Sequence, residues 1–246
     1  MAAKKTENTA KPFKFKQFSI NQEHCAMKVG TDGVLLGAWA DTNGSKMLLD
    51  IGTGTGVIAI MLAQRNTQAI VHGVEVDELS HKQAEDNMKA SPFAARLQTY
   101  HIDIQSYAKI TDRKYDLIVS NPPFFSGGTL SATQDKTNVR HTVKLPHGDL
   151  LTSVKNLLTD DGRFCVILPL IEGLRFKELA ERAGLFCTKT TEIIPKKEKT
   201  VERLLLQFES NQTETQRNTL TIQEGEGRHE YTNEYKQLLK DFYTIL

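Results

Sequence analysis

Asn121, Pro122, Pro123 and Phe124 form the most specific chemical motif in the sequence, and the first of them ends an apolar strand pattern at 115–121. Consecutive prolines at the end of a buried strand cannot donate ladder hydrogen bonds, so they fix the chain and leave the preceding carbonyl groups pointing outward. The amide oxygen of Asn121 and the carbonyl of Pro122 can then each accept an N–H bond from an amino group. The ring of Phe124 can stack on a flat partner. The motif predicts a site that orients an exocyclic amine by positioning and hydrogen bonding, without a strong general base.

A glycine-rich turn leads from the end of a strand pattern at 47–51 into a helix, with the sequence Asp50-Ile51-Gly52-Thr53-Gly54-Thr55-Gly56. Its glycines allow a tight turn and the close approach of backbone N–H groups to a ligand. Val57 stands where a dinucleotide fingerprint has its last glycine, and no G-K-[ST] follows to hold a phosphate. Asp50 would repel a pyrophosphate but attract an ammonium group. The turn therefore predicts a ligand with a cationic amino-acid end.

Two more acidic residues lie at the ends of the next strand patterns, Glu75 near the end of 69–76 and Asp103 directly after 96–102. Glu75, beside Val76, can accept both hydroxyls of a ribose, and would do so equally in a protein that binds NAD. Asp103 suits an adenine amino group, and Ile104 can pack on the ring or offer its backbone. Each acid alone is most often a surface residue at a strand end. In this order and spacing they predict a nucleoside pocket.

The elements that must position these residues alternate between strand and helix. Such alternation predicts a doubly wound α/β fold with a seven-stranded, mostly parallel sheet whose last two strands form an antiparallel hairpin. Ligands of such sheets bind beyond the carboxyl ends of the strands, where the strand order reverses. Strands are expected at 47–51, 69–76, 96–102, 115–121, 163–170, 187–195 and 201–209, and helices at 54–65, 78–89, 150–158 and 173–183.

The composition is that of an ordinary globular protein, with 246 residues, 39% hydrophobic residues and a net charge of +1. This length fits one domain, expected at 29–246 after a basic, partly flexible leader at 1–28. No apolar run approaches the roughly 18 residues of a membrane helix, and no apolar stretch follows the first lysines as in a secretory signal. The three cysteines are widely spaced, which predicts a reduced, cytoplasmic protein without a metal site.

Taken together, the turn, the acids and the tetrapeptide resemble the class I methyltransferases across Leu48 to Glu209. The resemblance implies S-adenosylmethionine as the cofactor, no metal, and a target base turned out of its stack. Asn121, Pro122 and Phe124 are the implied catalytic residues. The implied cofactor-binding residues are Thr31, Asp32, Asp50, Gly52, Thr53, Gly54, Gly56, Glu75, Val76, Asp103, Ile104 and Asn121.

N-P-P-[FY] is shared by enzymes that methylate amino groups of adenine, guanine or glutamine. The segment Val29–Trp39, the loop through Arg140-His141 after NPPFF, and the C-terminal Tyr231-Thr232 with Tyr235 further resemble bacterial tRNA N6-adenine methyltransferases. That family modifies a valine tRNA on the 3′ side of its anticodon, which implies a tRNA substrate and no obligatory protein partner.

Two alternatives remain open. Guanine-N2 methyltransferases of ribosomal RNA share NPPF, and nothing in the chemistry of the motif separates adenine from guanine. Protein glutamine methyltransferases share the fold but typically carry NPPY and a helical N-terminal domain. A non-catalytic RNA-binding module, by contrast, would not need Asp50, Glu75, Asp103 and Asn121 together.

Basic residues outside the pocket are candidates for holding the RNA backbone. Phe13, Phe15 and Phe18, which alternate with lysines in the leader, slightly favour a segment that docks or touches RNA. The candidate RNA contacts are Lys14, Lys16, Arg140, His141, Lys196, Lys197, Lys199 and Arg203.

Overall fold

A computed structural model of the chain describes residues 11–25, 27–123, 145–225, 227 and 229–245. Three residues from the sequence prediction, Phe124, Arg140 and His141, lie outside the described residues.

The described chain contains ten strands, seven α-helices and a 3-10 turn at Ala94–Arg96. The helices are α1 (Thr31–Trp39), α2 (Val57–Arg65), α3 (Glu78–Ala90), α4 (Ile104–Ile110), α5 (His147–Leu157), α6 (Leu170–Arg182) and α7 (Asn233–Leu239). The strands are β1 (Phe13–Lys14), β2 (Ser19–Ile20), β3 (Met47–Ile51), β4 (Ile70–Glu75), β5 (Leu97–His101), β6 (Tyr115–Ser120), β7 (Leu158–Pro169), β8 (Phe186–Lys196), β9 (Arg203–Glu209) and β10 (Gln216–Gln223).

The main sheet has the strand order β10-β8-β9-β7-β6-β3-β4-β5. Only β9 runs against its neighbours, since it pairs antiparallel with both β7 and β8 while the other pairings are parallel. The order reverses between β3 and β6, which is where a doubly wound sheet opens a ligand crevice. The predicted fold class and the antiparallel hairpin β8–β9 are confirmed.

The described residues form eight strands in this sheet, so the prediction of seven was wrong. The additional strand, β10, pairs in parallel with β8 at the outer edge of the sheet. Its sequence QRNTLTIQ is largely polar and residues 216–219 are exposed, because an edge strand has little apolar surface to bury. Helix α4 was also missed in the sequence.

Apolar side chains on the two faces of the sheet form two separate cores. Leu48 packs with the core that also contains residues of α1, α2, α3 and α7, whereas Leu49 packs with residues of α4, α5 and α6. Successive residues of a strand point to opposite faces, so a strand covered on both sides has a continuous apolar sequence. This accounts for the MLLDI pattern of β3.

The aromatic residues of the predicted leader belong to the first of these cores. Phe15 and Phe18 are buried and stack with ring centroids 4.5 Å apart, and Phe15 pairs with Tyr243 in an isolated β-bridge. The backbone N–H of Lys16 donates to the carbonyl of Phe242 at 2.8 Å. These two rings are therefore used for packing and are not available to stack on RNA bases.

Candidate active site

A cavity of about 1000 Å³ lies at the carboxyl ends of the central strands. Residues that follow β6, β3, β4 and β5 line it in that spatial order, and the first turn of α1 together with the start of β9 completes the wall. The order of the strands thus places the Asn121 motif, the glycine turn, Glu75 and Asp103 side by side along one edge, as the sequence predicted.

The glycine turn adopts a backbone that requires glycine at three alternate positions. Gly52, Gly54 and Gly56 have φ values of +71°, +54° and +81°, in the left-handed region that side chains disfavour. The N–H groups of Gly52 and Thr53 both donate to the carbonyl of Val74, which ties the turn to the end of β4. A Cβ added at Gly54 would meet only the carbonyl oxygen of Gly52, at 3.9 Å. The backbone of the turn is therefore open to a ligand.

Asp50 supports this turn from beneath. Its carboxyl group is fully buried, and one oxygen, Oδ2, accepts a hydrogen bond from the Thr53 hydroxyl at 2.7 Å. The other oxygen, Oδ1, has no hydrogen-bond partner among the described residues. Burial raises the pKa of Asp50 to about 7. Asp50 and Gly56 are the two predicted cofactor-binding residues that do not line the cavity, whereas Gly52, Thr53 and Gly54 do.

Glu75 connects the glycine turn to the end of β4. One carboxylate oxygen accepts the N–H of Gly54 at 2.9 Å, and the other accepts the N–H groups of Val76 and Asp77 at 2.9 and 3.0 Å. Glu75 and Val76 both line the cavity. The carboxylate is therefore held in one orientation at the cavity wall.

Asp103 lies at the far end of the cavity and caps α4. Its side chain accepts the N–H of Ser106 at 2.8 Å, and this hydrogen bond holds the pKa of Asp103 below its ordinary value. Ile104 begins the helix and lines the cavity beside it, with little exposed surface. Capping explains why an acid here is followed by a helix.

Thr31 and Asp32 enter the cavity from the first turn of α1. Asp32 makes an ion pair that the sequence did not suggest, because its Oδ2 accepts a hydrogen bond from Nε of Arg203 at 3.0 Å. Arg203, predicted as an RNA contact, is the first residue of β9 and lines the cavity itself.

Asn121 and Pro122 line the cavity on the other side of the glycine turn. The Oδ1 atom of Asn121 is buried and has no hydrogen-bond partner among the described residues. Buried amide oxygens are almost always hydrogen-bonded, so this one lacks a donor that the described residues do not provide. The preceding Ser120 anchors the motif, since its hydroxyl donates to the carbonyl of Ile51 at 2.9 Å.

The remaining candidate RNA contacts occupy two regions. Lys196, Lys197 and Lys199 lie at the turn between β8 and β9, and the flanking residue Pro195 lines the cavity. Lys14 and Lys16 are exposed on the packed N-terminal segment. The side chain of Lys16 donates to the backbone carbonyl of Lys240, so it helps to hold the C-terminal helix.

Several cavity residues were missed in the sequence, among them Cys25, Ser80 and Ile222. Ile222 belongs to the unpredicted strand β10, and Ser80 lies in α3, where only burial identifies it. Cys25 has its pKa raised to about 11 by burial, so its thiol stays protonated. Within the described ranges no group of three His, Cys, Asp or Glu side chains could hold a metal ion, and no described helix is long and apolar enough to cross a membrane.

A doubly wound sheet whose strand order reverses between β3 and β6, with a glycine turn at the crevice, is the fold of class I methyltransferases. The crystal structure of a protein from Agrobacterium tumefaciens, described as a predicted O-methyltransferase, shares this fold with a TM-score of 0.65. The two chains are 18% identical, and the match covers 86% of this chain and 96% of that one.

The chain belongs to the methyltransferase small domain family, whose model matches residues 25–168. It is 45% identical, over 94% of its length and 97% of the relative, to the tRNA1(Val) (adenine(37)-N6)-methyltransferase of Trichodesmium erythraeum. It is 43% identical, over 94% of its length and 96% of the relative, to the protein of the same name from Histophilus somni.

Proposed function

We propose that this protein transfers a methyl group from S-adenosylmethionine to the N6 amino group of the adenine on the 3′ side of the anticodon in a valine tRNA. The observation that carries the proposal is the buried, unpaired Oδ1 of Asn121 beside the glycine turn. Such an atom suits the amino group of a base. The names of the relatives favour adenine in tRNA over guanine in ribosomal RNA or glutamine in protein.

The cavity has the charge and shape expected for this cofactor. Its described lining carries the carboxylates of Asp32, Glu75, Asp77, Asp103 and Glu202, but only two cationic side chains, those of Lys28 and Arg203. An excess of negative charge suits a sulfonium ligand and disfavours a pyrophosphate. The volume of about 1000 Å³ is at the upper end of the range for small-molecule sites.

Individual residues fit the parts of the cofactor in turn. The backbone of the glycine turn and Asp32 would hold the amino-acid end, Glu75 the ribose, and Asp103 with Ile104 the adenine. Asp50 would act indirectly, by supporting the turn through Thr53. When bound, S-adenosylmethionine supplies an activated methyl group, and the acidic wall needs no metal to hold it.

The chain's own contribution to the reaction is to orient the acceptor amine. The amide oxygen of Asn121 and the carbonyl of Pro122 each accept one N–H of the amino group, which turns the nitrogen lone pair away from both. These hydrogen bonds strengthen as the nitrogen becomes tetrahedral, so they stabilise the transition state more than the ground state. Phe124, which the sequence predicts to stack on the target base, would hold that base in position for the reaction.

The β8–β9 turn is the region best placed to hold the RNA backbone, because it adjoins the cavity wall at Pro195. Lys197 and Lys199 are exposed there. A tRNA loop presents unstacked bases that can enter a pocket, whereas a duplex does not. The three free cysteines, Cys25, Cys165 and Cys187, fit an enzyme that works beside tRNA in the cytoplasm.

The test is methyl transfer from labelled S-adenosylmethionine to tRNA, ribosomal RNA and protein taken from a strain that lacks the gene. Nucleoside mass spectrometry is expected to find N6-methyladenosine in valine tRNA and none with Asn121→Ala. N2-methylguanosine in ribosomal RNA, or label in protein alone, would contradict the proposed substrate. Absence of transfer to all three, with the protein folded, would contradict the proposed activity.

A further inference from the structure

Asp32 and Arg203 form an ion pair within the cavity although 171 residues separate them in the sequence. The Nε–Oδ2 distance is 3.0 Å, and the side chains are 29% exposed for Arg203 and 25% for Asp32. Exposed ion pairs contribute little to stability, and a largely buried pair also loses hydration. Stability alone is therefore a weak reason for placing two opposite charges in a ligand cavity.

The surroundings of the pair favour a ligand that carries both charges. Asp32 lies in the first turn of α1, and the preceding N-cap residue Gly30 has no side chain to cap the helix N–H groups. Arg203 reaches the same point from the start of β9, between the ends of β7 and β8. An α-amino acid carries an ammonium and a carboxylate on one carbon, so its complement is a negative and a positive group side by side.

We propose that Arg203 is the residue that determines specificity for the zwitterionic amino-acid end of the cofactor, acting as a pair with Asp32. In this arrangement Asp32 attracts the ammonium, while Arg203 holds Asp32 in place and attracts the carboxylate. The proposal rests on the proposed function, since it assumes that the cavity binds S-adenosylmethionine. It assigns Arg203 to cofactor recognition instead of the RNA contact that the sequence suggested.

Two ligands distinguish recognition of the amino-acid end from a general effect on cofactor binding. S-adenosylhomocysteine contains the amino-acid end, whereas 5′-methylthioadenosine has the same nucleoside and sulfur without it. Calorimetry with both ligands is done on wild type, Arg203→Gln, Asp32→Asn and the double variant. The matched control is Arg163→Gln, which breaks another ion pair, Arg163–Asp41 at 3.2 Å, away from the cavity.

We expect Arg203→Gln to lower the affinity for S-adenosylhomocysteine at least tenfold. Its affinity for methylthioadenosine should stay within twofold of the wild-type value. The double variant should be little weaker than the worse single variant, because the two residues act together. Arg163→Gln should change neither affinity. Arg203→Lys, which keeps the charge without the planar fork, should fall between wild type and Gln, and it serves if Arg203→Gln does not fold.

If Arg203→Gln lowers the affinity for both ligands equally, or for neither, the role assigned to Arg203 is overturned. A rise in the Michaelis constant for tRNA with cofactor affinity unchanged would also overturn it, since that would return Arg203 to the RNA interface. If folded wild-type protein binds neither ligand, it is the proposed function that fails, and the two failures are therefore distinguishable.

Discussion

Ser120 donates its hydroxyl to the carbonyl oxygen of Ile51 at 2.9 Å, and these residues are directly opposite each other at the ends of β6 and β3. Asn121 follows one of them and the glycine turn follows the other. The group that orients the acceptor and the loop that receives the cofactor are consequently fixed relative to each other by a buried hydrogen bond. Reactions governed by positioning depend on this kind of coupling, because small displacements cost large factors in rate.

Replacing Asn121 by Ala is expected to lower kcat by about 10²-fold or more, as for other groups that stabilise a transition state by hydrogen bonding. Affinity for S-adenosylhomocysteine should stay within about twofold. The free energy of unfolding should change by less than about 1 kcal/mol, because Oδ1 has no described partner to lose. Single-turnover kinetics, calorimetry and urea unfolding provide the three readouts. Turnover at the wild-type rate would show that the active site is elsewhere.

Replacing Gly54 by Val should abolish cofactor binding, because the new side chain would point from a backbone with φ +54° into open space at the cavity. Gly44→Val is the matched control, since Gly44 has φ +73°, is equally open, and does not line the cavity. Both variants should lose about 1–2 kcal/mol of stability through backbone strain. Only Gly54→Val should lose S-adenosylhomocysteine binding by calorimetry. Similar affinities in the two variants would contradict the assignment of the glycine turn.

Asp50→Asn tests whether the buried carboxyl group of Asp50 makes the stability of the protein depend on pH. The pKa of Asp50 is raised from 3.8 to about 7, so between these pH values the folded protein holds a proton that the unfolded chain releases. The associated stability is complete below pH 3.8 and is lost as pH rises towards 7, by up to about 1.4 kcal/mol per unit. Wild type should therefore lose stability relative to Asp50→Asn across this window. Parallel urea-unfolding curves against pH would contradict the shift.

Charge reversal at Lys197 and Lys199 tests the RNA interface. The double Glu variant should raise the tRNA Michaelis constant and reduce the salt dependence of tRNA binding, with cofactor affinity unchanged. Reversal at Lys46 and Lys114, which are exposed at the amino ends of β3 and β6, changes the net charge by the same amount. If both pairs weaken tRNA equally, the effect is one of overall charge and the β8–β9 turn has no special role.

Much of the fold follows from local patterns that burial on both faces of a parallel sheet imposes. The strands β3, β4 and β6 were placed to within one or two residues, because continuous apolar runs such as LIV in β6 are typical of strands that are buried on both faces. Strand β10 carries no such signal, since its exposed half is polar. Helix α4 is seven residues long, and its capping acid Asp103 was interpreted only as a ligand contact.

The cavity residues were predictable where a special backbone or a strand end announces them, as at Gly54 and Asn121. The partner of Asp32 was not, because no local pattern reports a contact between residues 171 positions apart. The positions of Asp50 and Phe15 show the same limit. An acid beside a glycine turn and an aromatic ring among lysines suggest ligands, but both side chains are directed into the interior.

The side chain of Lys16 donates a hydrogen bond to the carbonyl of Lys240, 224 positions away in the sequence. Beside it, Phe15 and Tyr243 form an isolated β-bridge. During synthesis on the ribosome, Phe15 cannot pair with Tyr243 until the segment after α7 has been made. Contacts of such long range form late and slow folding, since the intervening chain must first be ordered. We therefore expect the contacts between the N-terminal segment and the residues around α7 to be among the last to form when the protein folds.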